Sequence, residues 1–171
     1  MEDIYDLIND EDSKIDKTFQ REIIDMLKGI ENVEKADTFY ERGNPETGLL
    51  STLSHHGMVD VINYLVNRKD VSSKYIDDGF VWACRRVETG PIFAILDSGN
   101  VSMNGLQKGI KELNIEGAGD IVSKILKKVS LKILKRVENK KKTVTKMMTA
   151  GKKYSNKTRK SYKKKSDKGR K

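Results

Sequence analysis

The sequence predicts an all-α fold: a short solenoid of helix-turn-helix repeats followed by a disordered, basic C-terminal tail. Three observations predict it. Apolar residues recur in columns spaced thirty residues apart. Each interval holds two short amphipathic stripes separated by a turn. The charge of the chain divides sharply near Lys127: from there to Lys171, 20 Lys or Arg stand against two acids, a net +18, whereas residues 1–126 carry 14 basic and 23 acidic residues, a net −9. An acidic body on a basic tail is stronger information than the overall +9, because it assigns different partners to the two parts.

The columns come first, because a fixed period decides the fold class before any local reading does. Leu50, Phe80 and Ile110 form one column; Ile62, Ile92 and Val122 form a second. Leu65, Ile95 and Ile125, each followed by Val66, Leu96 and Leu126, form a double third. Asp70-Val71-Ser72 is echoed by Asn100-Val101-Ser102, and Gly57 and Gly117 stand two periods apart with Val87 between them. Within the first unit, Val61, Ile62, Leu65 and Val66 line one side of a helix. Gly57 breaks the chain before it, so an earlier helix from about Leu49 to His55 turns there. Neither helix can bury its apolar side alone, and stacked neighbours bury each other's. Two intact units, a third fading one and a terminal segment just meet the number such a stack needs.

The element preceding the columns is a helix over Lys17 to Leu27, with Phe19, Ile23, Ile24, Met26 and Leu27 on its stripe. Residues 1–44 are thus an N-terminal helical cap or a degenerate repeat, residues 45–137 hold about three repeats with a C-terminal capping helix, and residues 138–171 form the tail. Along Ile121 to Val137, Val122, Ile125, Leu126, Val129, Ile133 and Val137 share a side opposite a lysine-rich one. That pattern suits a cap best, because its first half keeps the repeat register; the alternative is a basic amphipathic helix that lies on an acidic membrane or enters a partner's groove.

The run Gly57-Met58-Val59-Asp60-Val61-Ile62-Asn63-Tyr64-Leu65-Val66 resembles the second-helix motif of ankyrin repeats. Gly117-Ala118-Gly119-Asp120-Ile121-Val122 is similar, as is Ile95-Leu96-Asp97-Ser98-Gly99-Asn100-Val101 to the end of a unit. Trp82-Ala83-Cys84 stands where the family places its small pair. The Thr-Pro-Leu-His start is replaced by Gly48-Leu49-Leu50-Ser51 and Asp78-Gly79-Phe80-Val81, and Lys69 and Val129 replace end glycines. The units are shorter than the usual ~33 residues. Short, divergent units in a chain rich in Lys, Asn and Ile resemble the ankyrin proteins of large DNA viruses. The resemblance implies protein binding on the hairpin tips and the exposed ends of the first helices. By position these are Asn44, Pro45 and Thr47, then Lys74, Tyr75 and Asp77, with His55-His56, Arg85-Arg86 and Ile115-Glu116 before the turns.

Arg85 and Arg86 are the most pointed pair, since guanidinium forks suit carboxylates and phosphates; the competing reading is a solvated helix end. Trp82 is expected in the core, with an exposed anchor as the alternative. His55 and His56 are adjacent on a helix, so their side chains diverge by about 100° and do not share a metal ion. One cysteine, Cys84, gives no zinc-finger spacing and no internal disulfide, and beside Ala83 it is expected to be a buried, inert thiol. No glycine-rich phosphate loop and no nucleophile with a positioned base are evident, so the chain is not expected to be an enzyme and no metal or cofactor is expected.

The tail is rich in cations: Lys140, Lys141, Lys142, Lys152, Lys153, Arg159, Lys160, Lys163, Lys164 and Lys165, with Tyr154 and Tyr162 among them to stack on bases. Such a segment buries too little apolar surface to offset the entropy of ordering, and its charge suits RNA, DNA or a nuclear import signal. No run is apolar enough to span a membrane and no secretory signal opens the sequence, so an intracellular setting, nucleus or cytoplasm, is expected. The function expected is a protein-interaction module whose tail binds nucleic acid or directs nuclear entry. The alternative is a nucleic-acid-binding or packaging protein in which the repeats are a structural body.

Overall fold

The computed structural model describes residues 1–9, 17–37 and 48–166, with side chains up to Thr143. The described residues are helical throughout, without strands. In order they form α1 (Glu2–Asn9), α2 (Lys17–Lys28), α3 (Val33–Ala36), α4 (Leu49–His55), α5 (Val59–Leu65), α6 (Ser73–Arg85), α7 (Thr89–Ser98), α8 (Met103–Ile115) and α9 (Gly119–Ser166). The chain divides into two units, Met1–Ile125 and Leu126–Lys171.

In the first unit the helices pack in two rows. Helices α1, α4, α6 and α8 follow one another in one row; α2, α5 and α7 do so in the other, with α4 against α5 and α6 against α7 joining the rows. Helices α4 and α5 have seven residues each. Isolated helices that short are unstable in water, so packing holds them. Leu49, Leu53, Val61, Ile62, Leu65, Phe80, Ala83, Ile92 and Ile95 are all fully buried. Each large aliphatic or aromatic side chain so buried contributes about 1.5–3 kcal/mol of transfer free energy. The N-terminal segment joins the same rows. Phe19, Ile23 and Leu27 on α2 are buried, and Gln20 accepts a hydrogen bond from the Asp60 amide at 3.0 Å.

One turn recurs three times at thirty-residue spacing. After α4, Gly57 N–H donates to Ser54 and Met58 N–H to Leu53; after α6, Val87 to Cys84 and Glu88 to Ala83; after α8, Gly117 to Asn114 and Ala118 to Leu113. These paired bonds close each helix in a Schellman motif, which needs a left-handed residue. Gly57, Val87 and Gly117 supply it, with φ of 65°, 58° and 71°. Glycine adopts this conformation freely, but a β-branched residue is strained in it. The starts of α6 and α8 repeat as well: the Ser72 and Ser102 hydroxyls accept from the Tyr75 and Gly105 amides. Close packing of one row needs missing side chains. A Cβ on Gly109 would lie 2.5 Å from Phe80 Cε1 and 2.9 Å from Cys84 Sγ, and one on Gly79 would collide with Leu50.

Polar side chains tie neighbouring helix pairs together. The fully buried Asp37 carboxylate accepts from Tyr5 Oη at 2.8 Å, from Tyr75 Oη at 2.7 Å and from the Leu49 amide at 2.7 Å. It therefore joins α1, the N-terminus of α4 and α6. Gly48, the residue before α4, has no side chain to cap it, so Asp37 takes that role from a distance. Arg68 donates to the Leu27 and Ile30 carbonyls at 2.7 and 2.6 Å and pairs with Asp70 at 2.9 Å. Asp70 in turn accepts from the Val33 amide at 2.8 Å, and the hydrogen bonds from Arg68 hold its carboxyl below the ordinary 3.8. Asn100 donates to the Val66 carbonyl at 2.7 Å, and Asp77 accepts from the Ser102 amide at 2.8 Å and from its hydroxyl.

One expectation changes. Lys74, Tyr75 and Asp77 are not on a projecting hairpin: they lie in the first turns of α6, which starts at Ser73 because Ser72 caps it there. The face shared by residues 122–137 is covered only at its start. Ile121 and Ile125 are buried, whereas Leu126, Ile133 and Val137 are 49%, 51% and 45% exposed. Helix α9 runs on to Ser166, through the residues expected to form the tail. No proline interrupts it, and lysine is a good helix former.

Four outcomes follow from these contacts. Val87→Gly should relieve the left-handed strain and raise stability by roughly 0.5–1 kcal/mol, whereas Gly57→Val should lower it by about 1–2 kcal/mol; urea unfolding of the two variants checks both signs. Burial, then the charge and hydrogen bond of Asp37, raise the pKa of Tyr5 and Tyr75 above the ordinary 10.0. The folded chain therefore keeps these protons after the unfolded chain has lost them. The stability they confer is full below pH 10 and falls as pH rises beyond it. Tyr75→Phe should make that alkaline decline shallower, and Asp37→Ala should cost roughly 3 kcal/mol or more at neutral pH.

Candidate interaction surface

The last turns of α4, α6 and α8 end at equivalent positions of the same row, which sets His55-His56, Arg85-Arg86 and Ile115-Glu116 in register. Their side chains meet across the units. Arg86 Nη2 lies 3.2 Å from His55 Nδ1, and Arg85 Nε donates to Glu112 Oε2 at 3.1 Å. The Arg85 guanidinium also stands 5.6 Å from the Trp82 ring centre. The His55 and His56 rings pack edge to face with centroids 5.0 Å apart. His55, Arg85, Arg86, Ile115 and Glu116 are exposed, while His56 and Trp82 are half-buried. Ile115, at 66% exposure, adds an uncovered aliphatic group at the far end.

A strip of imidazole, guanidinium, indole, carboxylate and aliphatic groups therefore crosses three helix ends. Its ion pair is partly exposed, with 42% of the Arg85 side chain and 21% of Glu112 open to solvent. Such a pair contributes about 0–1 kcal/mol to folding, so Arg85 can exchange Glu112 for a ligand carboxylate at small cost. Trp82 is neither buried core nor bare anchor; it is a half-covered ring beneath a cation, an arrangement worth ~0.5–1 kcal/mol.

The remaining expected residues sit elsewhere. Tyr75 is 1% exposed and hydrogen-bonded to Asp37, so it offers no surface to a partner. Its aromatic body packs in the core because Ile76 and Phe80 follow on the same helix. Asp77 is half-buried and engaged by Ser102. Lys74 is exposed and pairs with Asp78 at 2.8 Å. Asn44, Pro45 and Thr47 lie outside the described residues. Lys140, Lys141 and Lys142 are exposed, and the side chains of Lys152, Lys153, Arg159, Lys160, Lys163, Lys164 and Lys165 lie outside the description.

Glu112 was absent from the sequence reading. The signal was present: Glu112 occupies the Trp82 position one period on, one helical turn before Ile115, and so faces Arg85 of the preceding unit. Cys84 is fully buried, as its place beside Ala83 implied, and burial followed by the charge of Glu112 pushes its thiol up to about 12. It remains a protonated thiol at neutral pH and is no nucleophile. Among the described residues no three His, Cys, Asp or Glu side chains cluster to hold a metal ion, and no helix is long and apolar enough to cross a membrane. The chain matches no family model, no curated protein and no solved structure.

Proposed function

We propose that the chain is a protein-interaction module of the ankyrin-repeat type, carrying a basic tail that is disordered when free and serves nuclear targeting or nonspecific nucleic-acid binding. The observation that carries the repeat reading is the threefold turn: the same pair of hydrogen bonds and the same left-handed residue recur at thirty-residue spacing after α4, α6 and α8. Helix pairs that repeat in this way present corresponding side chains side by side. The strip from His55 to Glu116 is such a presentation, and we assign protein capture to it, with Arg85 and Arg86 as the groups that select an acidic partner.

The tail reading rests on charge. Within residues 138–171, Lys142 and Lys146, Lys153 and Lys157, Arg159 and Lys163, and Lys160 and Lys164 stand at four-residue spacing. Each such like-charged pair weakens a helix by ~0.2–0.5 kcal/mol, so the segment gains order when a polyanion neutralises it. The same net +18 from Lys127 to Lys171 is what favours the second reading, a nucleic-acid-binding or packaging protein with the helical body as its structural part.

One experiment separates the two. Full-length chain, chain lacking residues 139–171, and an Arg85→Ala/Arg86→Ala chain are used for affinity capture with and without nuclease. The interaction-module reading predicts that the deletion weakens RNA binding at least about tenfold and leaves protein capture intact, and that the arginine variant weakens capture by about tenfold while remaining folded. Loss of all capture on tail deletion or nuclease treatment supports the packaging reading. Undiminished capture by the arginine variant removes the strip from the account.

A further inference from the structure

Helix α9 carries an apolar face that the described structure leaves open, and the charge beside it identifies what covers it. Leu126, Val129, Ile133 and Val137 fall within roughly 80° of one another at 100° per residue. Three of the four are close to half exposed: Leu126 at 49%, Ile133 at 51% and Val137 at 45%; Leu134, at the margin of the face, is 59% exposed. Lys127, Lys128, Lys132 and Lys135 cover the rest of the circumference, and Arg136 edges the apolar side. Leu131 lies opposite and does not belong to the face.

We infer that residues 126–137 form a peripheral docking helix for an anionic lipid bilayer surface. The chemistry fits on both sides. Aliphatic groups enter the boundary between headgroups and acyl chains, while lysine ammonium groups reach outward on their stems to lipid phosphates and carboxylates. The helix lies in the interface and does not span it, in keeping with its alternation of charge and with the absence of a spanning segment among the described residues. A polynucleotide accounts for the lysines but gives nothing for exposing Leu126, Ile133 and Val137, because its contact surface is phosphate and sugar. A second copy of this helix buries the same aliphatic residues but sets like charges against each other along both flanks. A bilayer that is anionic at its headgroups and apolar below satisfies both faces. This assignment concerns a segment apart from the strip proposed for protein capture, so either stands without the other.

The test uses the full chain and a Leu126→Ser/Ile133→Ser/Val137→Ser variant. All three positions are exposed, so the helical body is left intact, which circular dichroism checks. Both proteins are sedimented with phosphatidylcholine vesicles with and without phosphatidylserine, and titrated with poly(U) RNA. The expected result is binding of the parent chain to the phosphatidylserine vesicles alone, a loss of about tenfold or more in the variant, and unchanged RNA affinity. Failure of the parent chain to bind the anionic vesicles overturns the inference. So does equal sedimentation of parent and variant, which assigns the binding to tail charge. A parallel loss of RNA affinity in the variant overturns it as well, as does a parent dimer that the three substitutions dissociate.

Discussion

The Asp37 carboxylate is the constraint on which the N-terminal half of the structure depends. It is fully buried, and a buried carboxylate is costly unless several donors surround it. Tyr5, Tyr75 and the Leu49 amide do so, and they come from three different helices. The cost of burying the charge thus becomes specificity: any packing that separates α1, α4 and α6 strands the carboxylate. Asp70 with Arg68, Asp77 and Asn100 repeat the device on a smaller scale further along. Each reaches from one helix pair to a backbone group or cap of another, so apolar burial supplies the attraction and these bonds supply the register.

Register in turn governs the surface. The helices of one row approach closely because Gly79 and Gly109 leave room for Leu50 and Phe80. At that separation the residues ending α4, α6 and α8 meet side chain to side chain, which is how His55 comes to Arg86 and Arg85 to Glu112. The proposed interaction strip is a consequence of packing several residues upstream of it.

Part of this was legible in the sequence. The span of α4, Leu49–His55, and the turn at Gly57 follow from Leu49, Leu50 and Leu53 and from the glycine two residues after His55. The columns predict burial well at Leu65, Ile95 and Ile125, all fully buried, and progressively less well at Val66, Leu96 and Leu126, where the last is half exposed. The decay is physical: Leu126 stands just past the end of the first unit, and among the described residues no further helix pair follows in the thirty-residue register. The reach-back bonds were not legible, because a lone aspartate such as Asp37 has the same sequence signature buried or exposed. Tyr75 was misplaced for a related reason. Aligning α6 on the family's usual helix start set its first turns on a loop, whereas the local cap at Ser72 begins the helix earlier. The roles of Gly105 and Gly109 were not legible either: both sit inside α8 and face the helix beside it.

The central claim is that helix pairs stack with a thirty-residue period closed by equivalent turns. Amide hydrogen exchange on the full chain tests it most directly. The account predicts slow exchange at Met58, Glu88 and Ala118, the three amides that reach back to Leu53, Ala83 and Leu113, with the third least protected because its unit lies at the end. Fast exchange at Met58 and Glu88, or protection that shows no thirty-residue recurrence, would contradict it.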